Sequence, residues 1–258
     1  AKKVDAESTD RAKRAPFVLF ALRTEKTSAL QNVRKIRTLG VRSAFVGEFG
    51  VRQYEFADRD IISQGRDAWD AVLGTVNFGK FFLGFGAVGI CSHAFAEAIV
   101  HIRRRILYGK TVFEMPHIRT AIAVAFARLS AMKLYAYRAL DYLQIACDDD
   151  RRYLLFNAVQ KARVSTEGVK VMGLLSECIG AKGFEAETYF ESALRDAMLI
   201  PGLEGSTHIN YGLIAQFMDN YFCGSDHDLP KANSVGLHNA DADENPYWFE
   251  GRDRNART

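Results

Sequence analysis

The stretch that decides the fold reads RDAMLIPGLEGS from Arg195 to Ser206, and it follows the sequence IGAKGF at 179–184. It places one carboxylate, Glu204, in an apolar bend flanked by glycines, just ahead of a predicted helix. A glutamate at this place is favourable for the helix dipole, and Ser206 is a suitable N-cap. The same carboxylate can act as a general base when a carbon acid is brought up to it. The residues alone leave both interpretations open.

Working outward from this bend, the composition limits the class of protein. The chain has 258 residues, 48% of them hydrophobic, with 34 Lys and Arg against 31 Asp and Glu. Such a chain is typical of one or two globular domains with a sizeable core. The net charge of +3 is small, and the basic residues are scattered apart from the Arg triplet at 103–105. We therefore expect no nucleic-acid ligand.

The cysteines and the apolar runs bear on the compartment. The four cysteines are far apart and form no CxxC pair, which favours free thiols in a reducing compartment. The longest apolar run, Phe81–Cys91, is too short for a bilayer, which needs roughly 20 residues. The first residues are charged and lack the apolar centre of a signal peptide. We expect a cytoplasmic protein with no membrane span.

The first part of the chain predicts β structure. Residues 1–14 are charged and predict an exposed loop. A short apolar run at Phe17–Leu22 is typical of a buried strand. Two further strands are predicted at 43–49 and 51–56, separated by Gly50. Residues 1–64 therefore predict part of a β-domain.

From Arg66 onward the pattern is helical. A long helix is predicted to run to Leu107, with Gly109 as its stop. The second predicted helix has apolar residues at steps of three or four, namely Ile118, Ile122, Phe126, Leu129, Met132, Ala136, Leu140 and Leu143. A third is predicted from Leu155 to Gly180, and shorter helices at 185–198 and 206–222. Long helices with short links predict an antiparallel bundle over 65–224, followed by an irregular polar tail at 225–258.

Two motifs have an ordinary structural explanation. Residues 84–89 match GxGxxG, but a dinucleotide site needs a preceding strand, whereas this match lies inside a predicted helix. Its small residues favour close approach of a neighbouring helix. Cys223, Asp226, His227 and Asp228 do not have the spacing of a common zinc site, and a solvated tail is the better interpretation.

Two further segments can bind phosphate. The first is RILYGK at Arg105–Lys110, whose guanidinium suits phosphate oxygens, although a basic helix end also complements the helix dipole. The second is the turn Gly180–Gly183, whose backbone N–H groups can face a phosphate. An ordinary helix stop explains this turn equally well.

Taken in order, RILYGK, IGAKGF, RDA and LEGS resemble the C-terminal half of acyl-CoA dehydrogenases, over residues 1–222. The resemblance implies a mainly α fold, with a partial middle β-domain followed by the four-helix-type bundle of that family. Complete members also have an N-terminal helical domain and a further β segment. We therefore expect this chain to be a piece of a longer enzyme, whose N-terminal half is supplied elsewhere, for example by a separate chain.

The resemblance also implies residue roles. Glu204 is the expected base that removes the α-proton of an acyl-CoA thioester, from an apolar slot beside Leu203 and Pro201, while FAD accepts the β-hydrogen. Family members that do not use this glutamate place their base where this chain has Gly79, ahead of Lys80. The implied FAD contacts are Arg105, Tyr108, Glu177, Ala181, Gly183, Ser206 and Asn210. The implied substrate contacts are Lys80, Leu203 and Gly205.

The expected partners are an acyl-CoA substrate, an electron-transfer acceptor, and further copies of the chain in a homodimer or homotetramer. One rival is an acyl-CoA oxidase, or another flavin enzyme on the same scaffold. A second rival is a non-catalytic bundle that serves oligomerisation or binding. Four departures from the family pattern favour this second rival, namely Pro116, Glu177, Ala181 and Pro201.

Overall fold

The structure is a computed structural model that describes residues 17–23, 29–145 and 154–223. The chain divides into two compact units, Ala1–Phe78 and Gly79–Thr258. A long helix, α1 (Gly65–Arg104), begins in the first unit and ends in the second. The predicted boundaries at 64/65 and 224/225 remain predictions.

The first unit contains two small antiparallel sheets. Strand β1 (Val18–Phe20) pairs with β4 (Ile61–Gln64), and β2 (Leu30–Lys35) pairs with β3 (Gly47–Val51). The strand predicted within Phe17–Leu22 is therefore confirmed. The two strands predicted on either side of Gly50 are wrong, because β3 runs through this glycine, which pairs with Gln31 of β2. Strand β2 was not predicted, since its sequence LQNVRK is largely exposed and has little apolar alternation.

The second unit is a helical bundle. After α1 come a hairpin of β5 (Ile106–Leu107) and β6 (Lys110–Thr111), then α2 (Pro116–Ile145) and α3 (Leu155–Ile179). Helices α4 (Tyr189–Leu199) and α5 (Thr207–Cys223) follow. The predicted mainly α architecture, with few strands, is confirmed.

Local sequence explains two of the helix ends. Proline 116 occupies the first position of α2, where its missing N–H costs nothing. Gly180 ends α3 with φ +65°, a conformation that glycine adopts without strain. The prediction that α1 continues to Leu107 is wrong, because the chain leaves the helix after Arg104 and enters the hairpin. Gly109 lies in the hairpin turn and does not cap the helix.

The bundle core is formed by one face of each of the helices α1 to α4. On α1 this face is made of small residues and one isoleucine, namely Ala87, Cys91, Ala94, Ala98 and Ile102. The apolar residues predicted on α2 are buried except Phe126, whose side chain is 58% exposed. Helices α3 and α4 complete the core with Met172, Leu175, Phe190 and Ala193.

The GxGxxG match lies in the middle of α1, as the helical interpretation predicted. A Cβ atom at Gly84 would lie 2.2–2.3 Å from the side-chain amide of Gln160 on α3. Glycine is therefore required there for α1 and α3 to pack. Gly86 and Gly89 face open space.

In the described part of the chain, α1 is the one helix long and apolar enough to cross a membrane by length and composition. A core helix of a bundle has the same properties. The buried small-residue face of α1 packs against α2 and α3, so this feature does not by itself indicate a membrane.

Candidate functional site

The bend that carries Glu204 joins α4 to α5. A short 3₁₀ turn at Ile200–Gly202 ends α4. Glu204 and Gly205 then have φ values of +49° and +86°, so the chain reverses over two left-handed residues. The Ser206 hydroxyl accepts a hydrogen bond from the Ile209 N–H at 3.4 Å, in the position of the predicted N-cap. The glutamate therefore lies immediately before a helix start.

Two buried side chains hold this bend. The Lys161 ammonium, on α3, donates to the carbonyls of Pro201 at 2.7 Å and Gly205 at 2.6 Å. The Asn210 amide, on α5, donates to the carbonyls of Gly205 at 2.8 Å and Ser206 at 3.0 Å. Lys161 is 0% exposed, and Asn210 is also fully buried. Side chains from α3 and α5 thus donate hydrogen bonds to the backbone carbonyl oxygens of the bend.

The side chain of Glu204 rests against α1. A Cβ atom at Gly79 would lie 2.9 Å from the Glu204 Oε1 atom. The residue is nevertheless exposed, and so is Leu203. The prediction of an enclosed apolar slot is therefore wrong for the described chain, because Gly79 covers one side of the carboxylate and the other side is open. Within the described residues, the carboxylate makes no hydrogen bond and no ion pair.

Two ammonium groups, those of Lys80 and Lys161, interact electrostatically with the Glu204 carboxylate. Lys80, on α1, is 4% exposed, and burial lowers its pKa, while the charge of Glu204 opposes that shift. Burial and the neighbouring Lys80 lower the pKa of Lys161 to about 8, again opposed by Glu204. Lys80 forms no hydrogen bond or ion pair with any residue that the structure describes. The site thus combines one unpaired carboxylate with two buried cations.

Buried amides on α3 lie on the same face as Lys161. Gln160 donates to the Phe81 carbonyl at 3.2 Å, and its Oε1 atom has no partner among the described residues. Both amide atoms of Asn157, which is fully buried, also lack a partner there. Sequence reasoning missed Asn157, Gln160 and Lys161 as site residues. The available signal was their position on the helix face that also carries Leu155, Ala158 and Ala162.

A second group of residues surrounds His101. Burial lowers the pKa of His101, and the positive charges of Arg105 and Lys182 lower it further, so both cations lie near this ring. The Nε2 atom of His101 is buried without a partner among the described residues. The structure therefore brings the RILYGK hairpin and the Gly180–Gly183 turn together around one histidine.

Exposed aromatic residues lie on the same two segments. Tyr108, at the hairpin turn, is 96% exposed, and Phe184, beside the glycine turn, is 83% exposed. Of the predicted cofactor contacts in the second segment, Ala181 and Glu177 are exposed and Gly183 is half-buried. Lys182 pairs with Glu185 within the turn. The hairpin turn and the segment after α3 thus each present one exposed aromatic ring.

The thiols and metal ligands have no part in either group. Cys91 and Cys178 are buried and free, as predicted, and burial raises the pKa of Cys91 to about 12 and raises that of Cys178. Cys147 and the residues at 226–228 lie outside the described residues, as does the side chain of Cys223. In the described ranges, no cluster of three His, Cys, Asp or Glu side chains could hold a metal ion.

The fold and the two residue groups define a helical-bundle domain with a carboxylate-bearing bend and a basic hairpin. Residues 67–218 match the family model described as "Acyl-CoA dehydrogenase, C-terminal domain". The chain therefore belongs to the acyl-CoA dehydrogenase family, which confirms the resemblance drawn from its motifs.

Individual relatives are distant. A cyclohex-1-ene-1-carbonyl-CoA dehydrogenase of Geobacter metallireducens is 23% identical over 183 residues, which cover 71% of this chain and 47% of the relative. The structure of butyryl-CoA dehydrogenase from Megasphaera elsdenii has a TM-score of 0.70 at 18% identity, covering 81% of this chain and 54% of that chain. The flavoprotein nitroalkane oxidase has a TM-score of 0.72 at 16% identity, covering 86% and 51%. These two structures show a shared fold. The chain spans about half the length of the curated relatives it matches.

Proposed function

We propose that this chain supplies the catalytic base and part of the cofactor site for FAD-dependent α,β-dehydrogenation of an acyl-CoA thioester, with Glu204 as the base. Family membership supports the reaction class. The observation that carries the residue assignment is the state of Glu204, whose carboxylate has no hydrogen-bond or ion-pair partner among the described residues and interacts electrostatically with two buried ammonium groups.

The site residues suit proton abstraction next to a thioester carbonyl. A base must be free to accept a proton and held in place, since misplacement by about 1 Å can cost about a hundredfold in rate. The hydrogen bonds to Pro201 and Gly205 fix the bend without using the carboxylate. The positive charges of Lys80 and Lys161 stabilise the negative charge of the free base. Gly79 leaves room for the carboxylate against α1.

FAD, when bound, supplies the two-electron acceptor for the β-hydrogen, so that loss of the α-proton to Glu204 and of the β-hydride leaves an α,β-unsaturated thioester. The residues around His101 fit such a group. Arg105 and Lys182 provide positive charge for a diphosphate, and the buried His101 Nε2 atom has no partner among the described residues. Tyr108 presents an exposed ring beside them. Ala181 and Gly183 lie on the adjoining turn.

The surroundings of the bend supply the remaining proposed contacts. Ser206 and Asn210 lie close to Glu204 at the start of α5 and are further proposed FAD contacts. Lys80, Leu203 and Gly205 border the carboxylate and are the proposed substrate contacts. The exposed rings of Tyr108 and Phe184 support a further proposal, that the surface carrying these rings meets another copy of the chain in a homodimer or homotetramer. An electron-transfer acceptor is needed to reoxidise the cofactor. The buried free thiols support a cytoplasmic location.

The test is Glu204→Gln in the full chain, together with any chain that completes the enzyme. Turnover of an acyl-CoA panel with an artificial electron acceptor should fall by about 10²–10⁴-fold, the usual contribution of a general base. Bound flavin, measured by absorbance, and the free energy of unfolding should stay near wild type. Glu187→Gln is the matched control, since Glu187 is exposed and distant in sequence from the bend. Wild-type turnover in Glu204→Gln would contradict the assignment.

An oxidase is the second candidate, because the flavoprotein nitroalkane oxidase shares the fold. Hydrogen peroxide formed from acyl-CoA in air, without an added acceptor, would favour an acyl-CoA oxidase. A protein that binds no flavin and turns over no acyl-CoA, even in its complete assembly, would favour the non-catalytic bundle.

A further inference from the structure

We propose that Lys161 is a positioning residue for Glu204, fixing from α3 the bend that carries the base. The consequence for turnover rests on the proposed function. The effect on the conformation of the bend does not, and it can be measured separately.

The contacts of Lys161 span the bend. Its ammonium donates to a carbonyl three residues before Glu204, that of Pro201, and to the carbonyl immediately after it, that of Gly205. The Asn210 amide reaches the carbonyls of Gly205 and Ser206, both after the glutamate. Lys161 is therefore the side chain that ties the incoming part of the bend to the outgoing part. Charge-assisted hydrogen bonds of this kind are stronger than neutral ones.

The burial of Lys161 argues that its ammonium has a specific role. The side chain is 0% exposed, and transfer of an ammonium from water into a protein interior is costly unless it is paired. An apolar side chain of similar length would avoid that cost. The hydrogen bonds to the two carbonyls offset this cost only while the bend keeps both carbonyls within reach of the ammonium. The buried charge of Lys161 therefore stabilises one conformation of the bend.

The backbone of the bend needs such support. Glu204 has φ +49°, a left-handed conformation that non-glycine residues adopt at a cost of roughly 1–2 kcal/mol. Gly205 follows with φ +86°. Loss of the Lys161 contacts should allow the segment to relax, which would move the carboxylate away from Gly79.

The experiment compares Lys161→Met with Lys170→Met in the full chain. Lys170 lies on the same helix but is exposed, where it pairs with Glu167. Hydrogen exchange of the amides at 202–206 should accelerate about tenfold or more in Lys161→Met, as expected for a loss of about 1.4 kcal/mol of local stability. In the same variant kcat should fall about tenfold or more, with KM little changed. Lys170→Met should leave both quantities near wild type.

A second variant guards against a folding failure. Lys161→Gln keeps N–H donors but is one atom shorter, so it cannot reach both carbonyls, and it should show the same changes to a smaller degree. Unchanged exchange at 202–206 in a folded Lys161→Met protein overturns the proposal. Loss of folding in both Lys161 variants also overturns it, since the lysine would then support the core as a whole. Accelerated exchange in a protein whose wild type has no dehydrogenase activity supports the positioning role and refutes the proposed function.

Discussion

The hairpin turn at Tyr108–Gly109 and the bend at Glu204–Gly205 have the same local backbone but different support. Each has a non-glycine residue with φ near +50° followed by a glycine with φ above +70°. The hairpin turn is closed by its own two short strands, where Leu107 pairs with Lys110. The bend is closed by side chains from α3 and α5.

This difference determines how each side chain is presented. Tyr108 is almost fully exposed because nothing beyond the hairpin is needed to form its turn. The Glu204 carboxylate is placed by three helices, since α1 provides Gly79, α3 provides Lys161 and α5 provides Asn210. A turn defined locally can shift with little effect elsewhere. A bend defined by tertiary contacts loses its geometry when any supporting helix moves.

The largest expected effect comes from separating α1 and α3. Gly84→Ala would force its new methyl group into the Gln160 amide, so we expect a loss of about 3 kcal/mol in the free energy of unfolding. Hydrogen exchange at 202–206 should accelerate more than exchange at 106–111. Gly86→Ala is the matched control, because the same helix is open there. Gly86→Ala should raise the free energy of unfolding by about 0.4–1 kcal/mol. Urea unfolding of both variants measures whether each substitution lowers or raises that free energy.

An intermediate effect comes from the two turn glycines themselves. Gly205→Ala should cost about 2 kcal/mol and Gly109→Ala about 1 kcal/mol, since both have positive φ. The larger loss is expected at Gly205 because a Cβ atom there would lie 3.3 Å from the Ile209 side chain, whereas the space at Gly109 is empty. Thermal and urea unfolding measure both. Equal losses would show that the two turns are supported alike.

A further expected effect is a pH dependence of stability that originates at the buried Lys161. The folded pKa of Lys161 is about 8, below its ordinary value of 10.5. Between these values the unfolded chain binds more protons, so this group makes the free energy of unfolding rise with pH. Below pH 8 both states keep the proton and the contribution is constant. Wild type should therefore gain stability relative to Lys161→Met between about pH 8 and about pH 10.5.

The charged groups facing Lys161 bear on that measurement. They are Lys80 from α1 and Glu204 from the bend. Both are present in wild type and in Lys161→Met, and the comparison therefore reports the titration of Lys161 together with its coupling to Lys80. Urea unfolding of the two proteins at each pH gives the difference directly. A difference that is flat or falls with pH would contradict the sign.

The helices were predictable because their signals are local. The apolar spacing of α2 and the glycine after α3 gave both elements within a few residues. The chain around Gly50 was predicted wrongly, since glycine in a two-stranded ribbon pairs like any other residue. The end of α1 was missed because the hairpin that follows depends on a left-handed Tyr108, and no tyrosine preference indicates it.

The site was predictable in part. The sequence around Glu204 indicated the carboxylate and the N-cap serine, because both lie on one continuous segment. Lys161 is 43 residues upstream of Glu204, and a lysine in a helical stretch is ordinarily exposed. Only the packing of α3 against the bend shows that this ammonium is buried. The roles of Arg105, Tyr108 and the Gly180–Gly183 turn remain predictions.

The close contact between Gly79 and Glu204 makes the residues tolerated at positions 79 and 204 depend on each other. A methyl group at position 79 would contact the end of the Glu204 side chain. Because this side chain is flexible and can change its rotamer, the fold would tolerate the substitution. The carboxylate, however, would move from its present position. Substitutions at 79 and 204 should consequently be acceptable only in certain combinations. Under the proposed function, a larger residue at position 79 would therefore lower activity for as long as position 204 carries the base.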